Sequence, residues 1–230
     1  MLCVMYSNIL LAADEYRMLQ PFEAIYRIQG WGVVEIQRTV TLSYDAPIYK
    51  IRLVNEVTGL ASLTGYGPVV EESQFVLMLD LIQPLIYSNI DQSGRSDLHD
   101  LIHFDWDNSL ARSLRKEERF ILPIKTGVLD PLTVELSVRR DLIAGRSYDT
   151  YLVHEVEQVR TYHINRLADA TVDTELASFE TVHLTIDTGR SNRLLHYWLA
   201  PSLSYLPIRV IQYHNGKLEV QATLQETSLH

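Results

Sequence analysis

The chain has 230 residues, of which 47% are hydrophobic and 21% charged. That is enough to bury a sizeable core, and too apolar for a disordered tract. A formal charge of −9 makes nucleic acid an unsuitable partner, and the single cysteine, Cys3, excludes an internal disulfide or a multi-cysteine zinc site.

The opening residues 1–13, "MLCVMYSNILLAA", have the apolar run and small residues of a signal-peptide remnant ahead of Asp14, although a basic leader is missing. They are shorter than the about 20 apolar residues that span a bilayer. Residues 14–230 are expected to form a single β-rich domain. Period-two alternation starts in "FEAIYRIQ", where Phe22, Ala24, Tyr26 and Ile28 share a face. It continues in "VEIQRTVTLSY", where Val34, Ile36, Val40, Leu42 and Tyr44 do so and Arg38 intrudes. Ile48–Val57 is rich in strand formers. Phe75–Tyr87 is the most apolar internal run, but Asp80, Gln83 and Pro84 interrupt it, so no segment is expected to cross a membrane.

Helix signals occur in two places. "NSLARSLRKEERF" reads as a short helix, and its four cations, broken by Glu117 and Glu118, as a solvated face. "LDPLTVELSVRRDLIAGRS" predicts one central helix over about 130–144. Asp130 stands at its N-cap, Pro131 in its first turn and Gly145 at its C-terminal cap; Leu132, Leu136, Arg139 and Ile143 follow helical spacing. Further strands are expected at Tyr151–Val159, Thr161–Leu167, Thr181–Asp187 and Lys217–Leu224, with a hairpin turn at Asn215–Gly216. The sum is a mainly β protein of about ten antiparallel strands with one helix. A sheet of that size curls or closes to remove its edges.

Clusters that could carry chemistry are few. In "DLHDLIHFDWD", His99 and His103 are four apart and Asp105 is near. They share a face on a helix or a strand, which makes them the candidate metal ligands, but the zinc-protease glutamate is absent. The five histidines His154, His163, His183, His196 and His214 are expected on solvent-facing strand positions. Glu71 and Glu72 sit in an expected loop. No nucleophile elbow or phosphate loop occurs, so no catalytic residue and no cofactor is assigned. Thirteen tyrosines and three tryptophans suit either a filled core or a cavity for an amphiphile.

Several landmarks fall in a specific order: Phe104-Asp105-Trp106; Gly127-Val128-Leu129-Asp130-Pro131-Leu132-Thr133, with Arg139 following; Trp198-Leu199-Ala200-Pro201; Tyr205-Leu206-Pro207; and Gly216. They resemble the bacterial family catalogued as domain of unknown function 3108, over most of residues 20–226. The resemblance implies export to the bacterial envelope, in the periplasm. It also implies a fold similar to the outer-membrane lipoprotein carrier proteins: a single curved antiparallel sheet forming an incomplete barrel, with the helix as cover over a mostly apolar cavity. Residues Leu132, Leu136, Trp198 and Tyr205 are the candidate ligand contacts. The function expected is non-catalytic binding of an apolar or amphiphilic ligand such as a lipid or acyl group. The alternative is an envelope scaffold that binds proteins without a ligand; the third reading is a metal-dependent hydrolase using residues 97–107.

Overall fold

The computed structural model of the protein describes residues 19–30, 35–59, 67–94 and 98–230. The expected leader at residues 1–13 lies outside them. Strands β1 (Phe22–Gly30), β2 (Ile36–Asp45), β3 (Ile48–Val57), β4 (Val69–Met78), β5 (Leu81–Asp91), β6 (His99–Asp105), β7 (Leu110–Arg115) and β8 (Glu118–Pro123) come first. A short strand β9 (Val128–Leu129) and helix α1 (Thr133–Ile143) follow. The chain ends with β10 (Thr150–Glu155), β11 (Gln158–Arg166), β12 (Ala170–Asp173), β13 (Ser178–Asp187), β14 (Arg193–Ala200), β15 (Leu206–His214) and β16 (Lys217–Thr227).

All of them join one sheet in the order β8-β7-β6-β5-β4-β3-β2-β1-β16-β15-β14-β13-β11-β10-β9, with β12 paired to β13 off that path. Several sequential neighbours pair through tight turns. Leu79 and Asp80 adopt positive φ between β4 and β5, as Asn215 and Gly216 do between β15 and β16. That is the backbone twist a two-residue hairpin requires. The one long-range step is β1 on β16, in register from Ala24 opposite Thr227 to Gly30 opposite Val220. The first and last described strands therefore meet in the middle of the sheet. At that junction Gly30 approaches the partner so closely that a Cβ would lie 2.4 Å from the Glu219 carbonyl oxygen, so only glycine fits.

A sheet this wide twists and curls on itself. Bulges at Ile25/Tyr26, Gln74/Phe75, Trp198/Leu199 and Gln212/Tyr213 add to the bend. The barrel remains incomplete, with β8 at one end of the sheet and β9 at the other. Side chains bridge the gap between the two ends. Ser113 of β7 donates to the Val156 carbonyl in the β10–β11 turn, and Arg115 of β7 pairs with Glu157 beside it.

The helix has a topological cause. β9 and β10 pair in parallel, and parallel neighbours need a crossover connection; α1 is that crossover. It lies on the concave side of the sheet, with Val134, Leu136, Val138 and Arg139 buried. Gly145 takes φ +67° just past its end, as expected of a C-terminal cap.

Three expectations are corrected. The segment "NSLARSLRKEERF" is the β7–β8 hairpin, not a helix. Ala111 and Ser113 are buried while Arg112 between them is exposed, a period of two that the run of helix-favouring residues obscured. Tyr151–Val159 is not one strand but most of β10, a two-residue turn and the start of β11, with Val156 at φ +48° in the turn. A β-branched residue avoids that conformation, which is why no turn signal was visible. Glu71 and Glu72 likewise lie within β4, not in a loop.

Candidate functional site

Alternation puts one face of every strand on the concave side. That interior is not completely filled. A cavity of about 660 Å³ remains between the sheet and the first turns of α1. Its apolar wall includes Ile28, Ile36, Val40, Leu53, Leu195, Val210, Val220 and Ala222.

The wall is mostly apolar, as the resemblance implied, but charged groups interrupt it. Eight charged side chains line it: Arg38, Glu71, Asp100, Arg115, Glu135, Glu155, Arg190 and Arg193. Cross-strand register explains the clustering. Leu53, Glu71, Asn89, Asp100 and Arg115 stand opposite one another in one row across β3 to β7. Tyr26, Arg38 and Asn55 form the next row across β1 to β3.

These charges differ in how well they are matched. Arg115 grips Asp100 in a two-pronged pair, at 2.8 Å from Nε and 2.7 Å from Nη2. Glu155 is held by Arg160 at 2.9 Å and Arg190 at 3.0 Å, and it accepts the Tyr162 hydroxyl proton. Among the described residues the Glu71 carboxyl has only the Tyr87 hydroxyl, at 3.1 Å. Burial pushes the carboxyls of Glu71 and Glu135 up from the usual carboxylate range, and the Arg38 charge acts against that in both. Arg38 donates from Nε to Asn55 Oδ1 at 2.8 Å and makes no ion pair among the described residues.

Of the four candidate contacts, Leu132 lines the cavity and the other three do not. Leu136 is fully enclosed in the core beneath it. Trp198 sits on the opposite face of β14 from the cavity-lining Tyr197. It stacks on His183, with centroids 4.3 Å apart, next to His196. Tyr205, at φ +57°, packs half-buried against the core in the corner that follows the Pro201–Leu203 turn.

The metal candidates are dispersed. His99 and His103 are exposed on the outer face of β6. Asp105 is engaged by Arg112 at 2.5 Å and by Asn108. Among the described residues no group of three or more His, Cys, Asp or Glu side chains could hold a metal ion. Asp97 lies outside those residues.

The landmarks that carried the family resemblance hold the architecture. Asp130 Oδ1 accepts from the backbone N–H groups of Leu132 and Thr133, each at 2.9 Å, and Oδ2 takes the Ser73 hydroxyl. Trp106 Nε1 donates to the Pro84 carbonyl at 2.6 Å. Arg139 is buried with its guanidinium 4.8 Å from the Phe22 ring centroid, and its Nε donates to the Ser204 carbonyl.

His154 is also a correction: it is fully buried rather than solvent-facing, packed edge-on to Phe104 with neither ring nitrogen bonded. Burial pulls its pKa down to about 4. A histidine whose folded pKa lies below the unfolded value near 6.5 is charged first in the unfolded chain, so stability is lost as pH falls through that window. The loss of unfolding free energy between pH 7 and pH 5 should be about 2 kcal/mol larger in the parent protein than in His154→Leu. Urea melts at the two pH values measure the difference; equal losses in both proteins would show that His154 is not held neutral.

Fold and cavity together define the class: an incomplete, barrel-like single sheet, stoppered by one crossover helix around a charged and apolar interior. A family model described as "Protein of unknown function (DUF3108)" matches residues 22–223, and the chain belongs to this family. A search among curated proteins found no match. Among solved structures the chain is similar to a crystal structure of a beta-barrel-like protein of domain of unknown function DUF1849 from Brucella abortus. The two share 12% identity, with a TM-score of 0.57 over 92% of this chain and 98% of that one. At that identity the likeness is one of fold. Among the described residues no helix is long and apolar enough to cross a membrane.

Proposed function

We propose that this protein is a non-catalytic binding protein of the bacterial envelope that holds an amphiphilic molecule in its interior. One observation carries the reading: a cavity of about 660 Å³ with an apolar wall and a separate polar belt, on the concave side of the sheet. That volume falls within the roughly 300–1,000 Å³ typical of small-molecule sites. The polar belt changes the ligand expected. A purely apolar cavity stays dry and accepts a hydrocarbon, whereas charged walls hold water and call for a ligand with a polar end. The envelope location is supported by the resemblance to exported carrier proteins.

The test is a titration with N-phenyl-1-naphthylamine, an uncharged dye that brightens in apolar surroundings. Micromolar affinity is expected, worth about 8 kcal/mol. Val210→Trp, which fills the cavity from β15, should weaken binding by 10-fold or more while the circular dichroism spectrum is unchanged. Folded protein that ignores the dye, or dye binding indifferent to Val210→Trp, would sink the reading. The scaffold alternative would then lead. It is favoured by the β4–β5 hairpin tip, where Met78, Leu79 and Leu81 are exposed.

A further inference from the structure

The charges on the cavity wall separate into those matched by protein and those that are not. Asp100 and Glu157 with Arg115, and Glu155 with Arg160 and Arg190, set three acids against three arginines and leave little net charge to offer a ligand. Two arginines remain without an ion pair among the described residues, Arg38 and Arg193. Arg193 also borders a depression on the outside of the sheet shared with Asp187, Leu194, His196 and Tyr213, so it belongs to the rim. Arg38 belongs to the interior row between Tyr26 and Asn55.

Arg38 is also prepared for a partner. Asn55 Oδ1 holds its Nε, which fixes the plane of the guanidinium and leaves both Nη groups without a bond to the described residues. A planar fork presented this way matches a carboxylate, which accepts two parallel N–H bonds. An uncompensated cation next to apolar surface is costly unless something pairs with it. The hydrocarbon wall starts immediately beside it, with Ile36 and Val40 two residues away on the same face of β2.

We propose that the interior binds a long-chain carboxylate, with its carboxylate on Arg38 and its alkyl chain along the wall that runs from Ile36 and Val40 to Val210 and Val220. This rests on the amphiphile reading and names the ligand class of that same cavity. The carboxyl groups of Glu71 and Glu135 set the charge of the head. Both lie close enough to Arg38 for its charge to act on them. A carboxylate can accept from both Nη groups of Arg38 and adds a single negative charge beside these acidic side chains, where a dianionic phosphate would add two.

The test is displacement of bound N-phenyl-1-naphthylamine by dodecanoate, dodecanol and dodecyl phosphate, each below its micelle concentration. In the parent protein dodecanoate should compete at least 10-fold better than dodecanol, and better than dodecyl phosphate. Arg38→Gln should erase the preference for the acid while leaving dodecanol unchanged, and Arg38→Lys should keep part of it. Asn55→Ala, which frees the guanidinium without removing its charge, should narrow the preference and serves if Arg38→Gln does not fold. Equal competition by acid and alcohol in the parent protein would overturn the assignment to Arg38, as would a preference that survives Arg38→Gln. A stronger effect of dodecyl phosphate would overturn the carboxylate class. Absence of dye binding altogether would fell the amphiphile reading itself, which the other outcomes leave standing.

Discussion

Leu136→Arg is expected to abolish folding rather than to block the cavity selectively. Read from the sequence, Leu136 is a cavity-facing position on the helix stripe, where a charge would expel a ligand and spare the fold. In the structure its exposure is 0%, and α1 clamps it into the continuous core below the cavity. A guanidinium placed there would be desolvated with no acid positioned to receive it. Even the milder Leu136→Ala should cost about 3 kcal/mol, since it forfeits the burial of the side chain and leaves a hole that packed strands only partly close. Urea unfolding followed by circular dichroism checks both: Leu136→Ala with a clearly lowered midpoint, Leu136→Arg with no cooperative transition. A Leu136→Arg protein that unfolds at the parent midpoint would show that the helix lifts away from the sheet.

Asp130→Ala should be nearly as damaging, at about 3 kcal/mol. A cap on a solvent-exposed helix is worth about 1 kcal/mol, but Asp130 is fully buried and holds more than a helix end. Its Oδ1 accepts the N–H groups of Leu132 and Thr133, and its Oδ2 takes the Ser73 hydroxyl from β4, 57 residues away. Alanine would orphan two amides and a hydroxyl in a dry site, and each unsatisfied buried group costs about 1–3 kcal/mol. Asp130→Asn keeps an acceptor for the amides and should lose much less.

The two variants also differ in acid. Burial pushes the Asp130 carboxyl up to about 6, against the hydrogen bonds that favour its charged form. A carboxyl with a raised folded pKa takes its proton first in the folded state, so this group favours folding as pH falls from about 6 towards the unfolded value near 3.9. That is opposite in sign to His154, and Asp130→Asn should remove it. Matching pH profiles for the parent protein and Asp130→Asn would show that Asp130 is already ionised well below pH 6.

Some of the candidate site was visible in the sequence without being understood. Arg38 stood out as the one charge on the apolar face of "VEIQRTVTLSY", and the structure turns that interruption into a cavity cation with no ion pair among the described residues. Glu71 was visible too, but as half of an acidic pair in an expected loop. Only its place in β4, beside Leu53 and Asn89 of the neighbouring strands, gives it an inward direction. Trp198 and Tyr205 drew attention as large amphipathic side chains. Their positions, on the far side of β14 and in a corner packed on the core, depend on a bulge at Trp198/Leu199 and on a left-handed backbone at Tyr205. Neither leaves a trace in residue type.

By itself the sequence determined what depends on near neighbours. Period-two alternation marked β1, β13 and β16, a run of strand-forming residues marked β3, Asn215–Gly216 marked the last hairpin, and Asp130 to Gly145 bracketed α1, because a strand face, a tight turn and a helix end are each settled within a few residues. Tertiary structure alone decided the pairing of β1 with β16 across nearly the whole chain, the parallel step that requires α1, and which polar residues of separate strands meet inside. Those depend on register summed over many strands and on the curvature of the closed side. A one-residue slip would turn every inward charge outward, so the content of the cavity is a property of the assembled sheet and not of any strand in it.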